Sequence, residues 1–315
     1  MRRALVIGID NYPISPLDGC VHDARRLEAI LSRHDDGTPN FECRVIVCPP
    51  NTLSRSGLRQ AIEELFADPA DIAWLHFSGH GLVNRLDGFL VTPDAESYDE
   101  GVAMSQVLTL ANNSCVAERI ITLDCCQSGA LGAAPVLNNN QAHLAEGVSI
   151  VTATRTNQAS LEVGGGGVFT SLLAEALDGG AANVLGQITA AGVYAYIDDA
   201  LGAWDQRPLF KTNVARFARL RHARPRVPLD LLRRITKHFP VPAEDLPLEP
   251  SYEPAVEPRN AKNEEVFAEL QRLRAAGLVE PVDEEHMYYA AVNSRACRLT
   301  RLGLYYWRLV NDGRI

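Results

Sequence analysis

Ile120-Ile121-Thr122-Leu123-Asp124-Cys125-Cys126-Gln127-Ser128-Gly129 is the stretch on which the reading of the chain turns. Apolar and β-branched residues run into an acid and two thiols and stop at a glycine, the pattern of a buried strand that ends at a sheet edge. Alternation along a strand sends Ile120, Thr122, Asp124 and Cys126 to one side and Ile121, Leu123 and Cys125 to the other. A carboxylate and a thiol therefore emerge together. Upstream, Ile72-Ala73-Trp74-Leu75-His76-Phe77 is a second apolar run. It ends in Ser78-Gly79-His80-Gly81, so a histidine stands where a neighbouring strand would also stop. A thiol and an imidazole at adjacent strand ends point to cysteine–histidine hydrolytic chemistry.

Composition narrows the alternatives. The chain has 315 residues, 46% hydrophobic and 22% charged, enough for one sizeable core and a smaller appendage. A net charge of -9 argues against a protein coated for nucleic acid. No run approaches the roughly 20 apolar residues that cross a bilayer, and the apolar run after Met1-Arg2-Arg3 is too short for a signal peptide, so a cytoplasmic location without membrane partners is expected. The seven cysteines are odd in number and show no paired metal-ligand spacing; Cys43 and Cys48 read as small core residues. Lysine occurs only at Lys211, Lys237 and Lys262, an arginine bias that suggests a GC-rich bacterial source.

The first two-thirds alternates strand and helix. Leu5 to Ile9 is a strand, followed by a helix through Ala24, Leu27, Ile30 and Leu31, with Asp23 as its expected cap. Val45 to Cys48 is a strand stopped by Pro49-Pro50, and Leu58, Ile62, Leu65 and Phe66 mark a second helix. The strand before His80, a short strand at Gly88 to Val91, a helix at Met104 to Ala111 and the 120s strand follow. Then come a strand at Gly147 to Ala153 and helices at Phe169 to Leu177 and Thr189 to Trp204. Such alternation implies an α/β fold with a mostly parallel sheet covered on both faces, whose active residues gather at the carboxyl ends of the strands.

The motifs then resemble those of the caspase and metacaspase cysteine peptidases (peptidase family C14), most closely the prokaryotic metacaspase-like members. His76-Phe77-Ser78-Gly79-His80-Gly81 corresponds to the histidine motif and Asp124-Cys125-Cys126-Gln127-Ser128-Gly129 to the nucleophile motif, 46 residues apart, near the roughly 50 usual in caspases. Gly8 to Tyr12 with Leu17 to Ala24, Ala153 to Ser160 and Gly167 to Leu173 agree as well, and the likeness spans residues 1–213. It implies Cys126 as nucleophile, His80 as general acid/base and the backbone N–H groups of Gly81 and Cys126 as oxyanion donors. It also implies a pocket for an arginine or lysine side chain, formed by Asp23 and Asp124 with Cys20 and Ser78 at its walls. Arg155, from a loop near the substrate cleft in that family, is the main argument against basic specificity. His76, His22 and Cys125 read as structural.

Two departures limit the likeness. Gln127 replaces the histidine that usually follows the nucleophile. The acidic residues that many metacaspases use for calcium are scattered here as Asp87, Asp94, Asp99 and Glu100, which read as a solvated loop; no cofactor is assigned, with calcium the one left open. Leu131 to Gly147, where caspases are cut during maturation, holds no lysine or arginine, so an enzyme of basic specificity would be active as a single chain.

Beyond the likeness, residues 214–262 read as a basic segment (Arg216 to Lys237) and a proline-rich linker, and 263–315 as a module. A helix through Val266, Phe267, Leu270 and Leu273, a hairpin from Leu278-Val279 to Met287-Val292 and a last helix through Leu299, Leu302, Tyr305, Tyr306 and Leu309 resemble a winged helix. The acidic Asp283-Glu284-Glu285 turn would repel phosphate, which favours sensing of a protein or small-molecule activator over DNA. The resulting expectation is a gated cysteine endopeptidase acting on protein substrates, of the kind that prokaryotic relatives place in stress or antiviral defence. The alternatives are a catalytically silent caspase-like scaffold and a DNA-binding regulator working through the C-terminal module.

Overall fold

A computed structural model of the protein describes residues 1–84, 87–96, 99–125, 143–153, 167–201 and 208–315. The chain divides into two compact units, one of residues 1–182 and 187–224, the other of 183–186 and 225–315.

In the first unit the elements run β1 (Arg2–Ile9), α1 (Cys20–Leu31), β2 (Glu42–Cys48), α2 (Arg55–Ala67), β3 (Ile72–Ser78), β4 (Gly81–Val83), β5 (Gly88–Glu96), β6 (Asp99–Ala103), α3 (Met104–Asn112), β7 (Glu118–Asp124) and β8 (Val148–Thr152). They continue with α4 (Val168–Glu175), a π-helical turn at Ala176–Gly180, β9 (Gln187–Thr189), α5 (Ala190–Leu201), β10 (Leu209–Asn213) and β11 (Arg219–His222). The main sheet is six-stranded in the order β10-β8-β7-β3-β1-β2. Its pairs are parallel except for β10, which runs antiparallel to β8. The mostly parallel α/β architecture read from the strand–helix alternation is thus present. A separate antiparallel sheet, β4-β5-β6, follows β3 directly.

Both faces of the main sheet are covered, so its strands are apolar on both sides. One face packs Leu5, Ile7, Leu75, Phe77, Ile121, Leu123 and Cys125 against Leu58, Ile62 and Phe66 of α2 and Met104 and Val107 of α3. The other packs Ala4, Val6, Trp74 and Ile120 against Leu27 and Leu31 of α1, Phe169 and Leu173 of α4 and Ile197 of α5. β7 therefore alternates as its sequence dictates, with Cys125 turned into the first core.

The first unit extends past residue 213. β11 pairs antiparallel with β9, and the buried Arg221 guanidinium donates to the carbonyls of Ile30, Arg33 and Leu177. This arginine of the basic run is a packing element, donating to main-chain oxygens at the end of α1, just beyond it and in the π-helical turn.

The second unit contains α6 (Leu229–Arg233), α7 (Ile235–His238), β12 (Leu246–Pro247), α8 (Ala261–Ala275), β13 (Val279–Val282), α9 (Met287–Val292), β14 (Ala296–Leu299) and α10 (Arg301–Asn311). The stretch expected as a linker is folded instead. Leu231, Leu232, Ile235, Phe239 and Leu248 join one core with Phe267, Leu270, Leu273 and Ala290. Their helical spacing was masked by the interleaved arginines and prolines. The expected hairpin also changes form. Met287–Val292 is a helix that buries Met287, Ala290 and Ala291 at i, i+3 and i+4, and the partner of β13 is β14, with Val279 opposite Leu299. Helix ends follow side-chain caps: Asn260 accepts from the N–H groups of Lys262 and Asn263, and Thr300 accepts from that of Gly303.

Candidate active site

His80 lies just past the carboxyl end of β3. The turn into it needs Gly79, because a Cβ there would come within 2.5 Å of the Tyr12 hydroxyl. That hydroxyl accepts from the His80 N–H at 2.9 Å and donates to the Val91 carbonyl at 3.2 Å, while Val91 N–H donates to His80 O at 3.0 Å. The phenol is thus spliced into the ladder between the His80 segment and β5. Burial pushes the Tyr12 pKa far upward, which keeps the hydroxyl a donor. Its ring lies 4.5 Å from the imidazole, centroid to centroid.

The imidazole is fixed at its other end as well. His80 Nε2 is 2.6 Å from the carbonyl oxygen of Ser15. A carbonyl only accepts, so Nε2 carries the proton, and in the neutral ring Nδ1 is the atom left to take one up. Ser15 holds its carbonyl there with a left-handed backbone, φ 58°.

Of the four expected pocket residues, Ser78, Asp124 and Asp23 lie on the α1/α4 side of the sheet edge, and Cys20 opens α1. Ser78 and Asp124 are register partners at the ends of β3 and β7, and Ser78 is also opposite Gly8 of β1. Gly8 packs so closely on α1 that a Cβ would fall 2.1 Å from the Cys20 carbonyl oxygen. Asp23, one turn on from Cys20, accepts the Gly167 N–H through Oδ2 at 2.8 Å. Asp124 Oδ2 accepts from Thr170 N–H at 3.1 Å and Oγ1 at 2.8 Å, and a side chain at Gly167 would strike it at 2.1 Å. Two buried carboxylates therefore meet at the amino end of α4, where N–H groups favour negative charge. Burial holds the Asp23 carboxyl above its ordinary range despite the Gly167 hydrogen bond and nearby His22.

Asp23 is not the cap of α1. The Asp10 carboxylate takes that role across the loop, accepting from Cys20 N–H at 2.8 Å and Val21 N–H at 3.3 Å. Gly81 opens β4 opposite Leu90. Cys125 is buried in the core beside α2 and α3. Cys126, Gln127 and Arg155 lie outside the described residues, as does most of Leu131 to Gly147. His76 is fully buried, 2.9 Å from the Thr122 hydroxyl through Nδ1, and burial lowers its pKa to about 3, so it is a neutral core residue. Cys43 and Cys297 have pKa values pushed up to about 12 by burial, which keeps them protonated and unreactive.

In the acidic loop the side chains of Asp99 and Glu100 lie outside those described. Asp87 accepts from the N–H groups of Gly88 and Ser105, and Asp94 accepts from that of Arg55 at the start of α2. Among the described residues no group of three or more His, Cys, Asp or Glu side chains could hold a metal ion, and no helix is long and apolar enough to cross a membrane.

The roles of Tyr12, Ser15, Asp10 and Thr170 escaped the sequence reading. Tyr12 was signalled only by its place in the Gly8 to Tyr12 segment, and the Ser15 contact is made by a main-chain atom that no side-chain pattern reveals.

The Peptidase_C14 caspase domain model matches residues 1–202. Among solved structures, caspase-1 from Spodoptera frugiperda is similar at 14% identity with a TM-score of 0.53, over 70% of this chain and 90% of that one. Protein GSU0716 from Geobacter sulfurreducens is similar at 18% identity with a TM-score of 0.52, over 70% of this chain and 99% of that one. These identities establish likeness of fold. No curated protein sequence matches the chain.

Proposed function

The chain belongs to the caspase-domain family of peptidases, and from that premise we propose that it is a cysteine endopeptidase that cuts protein chains after arginine or lysine. The observation that carries this reading is the placement of His80, its tautomer fixed by Ser15, at the same sheet edge as the buried Asp23–Asp124 pair. The basic side chain before the scissile bond would pair with the two carboxylates and bring the carbonyl to the end of β7. His80 Nδ1 takes the proton of the Cys126 thiol, and the thiolate attacks the carbonyl carbon. The N–H groups of Gly81 and Cys126 hold the oxyanion. His80 then protonates the departing amine, leaving a thioester. It next removes a proton from the water that hydrolyses the thioester and returns that proton to the thiol.

The second unit, with its own core, is proposed to gate the enzyme in response to a protein or small-molecule signal, in a stress or antiviral setting. A panel of peptides carrying arginine, lysine or aspartate before the cut tests the assignment, with wild type beside Cys126→Ala. Cleavage after the basic residues, abolished in the variant, is the expected result. Cleavage after aspartate alone would reject the basic specificity. No cleavage by wild type, with or without calcium or cell extract, would favour a silent scaffold.

A further inference from the structure

One cleft at His80 is left unused by this mechanism. It has a volume of about 490 Å³ and is walled by Pro13 and Ile14 of the loop after β1, Leu82 of β4, and Pro93 and Ala95 of β5, with His80 at its edge. Ile14 is 84% exposed and Leu82 40% exposed, so apolar surface faces solvent beside the imidazole. Among the described lining residues there is no carboxylate, lysine or arginine. Tyr12, which also lines it, packs into the core on the α2/α3 side of the sheet, whereas Asp23 and Asp124 lie on the α1/α4 side. His80 stands between an apolar cleft and an acidic pocket.

We propose that this cleft is the subsite for the residue immediately after the scissile bond, and that it selects a large apolar side chain there. The inference rests on the peptidase reading. To protonate the leaving amine, the imidazole must come within about 3 Å of that nitrogen. The Cα of the departing residue is only about 1.5 Å from the same nitrogen, so its side chain must fall along the flank of His80. The residue before the cut occupies the carboxylate side. The one after it is left with the walls formed by Ile14, Leu82 and Pro93, which offer apolar contact and no partner for a charge. A charged residue here would lose hydration without compensation.

Internally quenched peptides with leucine, phenylalanine, glycine or aspartate after the cut, each made with arginine, lysine or aspartate before it, test the assignment on the full chain. Leucine and phenylalanine should exceed glycine in kcat/KM by roughly tenfold to a hundredfold, and aspartate should be the poorest. In Ile14→Ser/Leu82→Ser, two changes at exposed positions that do not threaten the core, the leucine-to-glycine ratio should fall close to one. Leu82→Lys should shift the preference toward aspartate. Equal cleavage of the leucine and glycine peptides by wild type, or an unchanged ratio in the double variant, overturns the cleft assignment and leaves the peptidase reading standing. Failure to cut any peptide of the set, with or without calcium or cell extract, overturns both.

Discussion

Around His80 the chain relies on neutral hydrogen bonds: a tyrosine hydroxyl bridges two main-chain groups and a serine carbonyl fixes the imidazole tautomer. Around Gly167, on the other side of the same sheet edge, it buries two carboxylates, and the desolvation of Asp23 outweighs the help it receives. The first arrangement is organised before any substrate arrives, as proton transfer requires. The proposed function would set the cation of a basic side chain against the second. If the proposed function holds, reaction machinery and specificity rest on different physics, and substitutions should separate them.

The largest effect is expected at the histidine. His80→Ala should lower kcat/KM by about 10²- to 10⁴-fold for every peptide, whichever residue precedes the cut. A loss confined to basic substrates would mean that the two sides are not separable.

The carboxylates should behave differently. Asp124→Asn, which keeps an acceptor for Thr170 but removes the charge, should lower cleavage after arginine by about 10²-fold or more. Asp23→Asn carries a pH signature. Because burial raises the Asp23 pKa, the folded chain holds that proton more readily than the unfolded chain does. The stabilisation it contributes is full at low pH and lost as pH rises through the raised pKa. Asp23→Asn should therefore melt higher than wild type at neutral pH, with the difference vanishing in acid, while kcat/KM for arginine peptides drops and loses its rise across that pH range. Melting curves at several pH values check the first part and pH–rate profiles the second.

Tyr12→Phe should have a smaller effect. It leaves the His80 N–H and the Val91 carbonyl without their bridge, a cost of about 1–3 kcal/mol in stability. Its readout in activity should be a fall in kcat with KM little changed, as expected of a residue that positions the imidazole. The smallest effect is expected at Ser15→Gly, where the left-handed backbone is easier for glycine and the contact to His80 is made by the main chain; stability should shift by less than about 1 kcal/mol.

Much of the first unit was legible because its signals are local. Period-two alternation placed Ile121, Leu123 and Cys125 against one core and Ile120 against the other, and helical spacing gave α1 and α2. The second unit was less legible. Arginines and prolines obscured the buried set of Leu231, Leu232, Ile235 and Phe239, and Met287–Val292, with two tyrosines and a valine, read as a strand although three of its residues repeat at helical spacing. Propensity misled there because burial against neighbouring elements outweighed it.

The sequence by itself determined the order of strands and helices, the side of β7 to which each residue turns and the position of His80 at a strand end, since all of these follow from periodicities within a few residues. Only the tertiary structure decided which proton His80 carries, which carboxylate caps α1 and where Asp23 and Asp124 meet. Those outcomes rest on contacts between residues 65, 10 and 144 positions apart, Ser15 with His80, Asp10 with Cys20 and Asp23 with Gly167. Such contacts form when the sheet brings distant loops to one edge, and no local pattern in the chain encodes them.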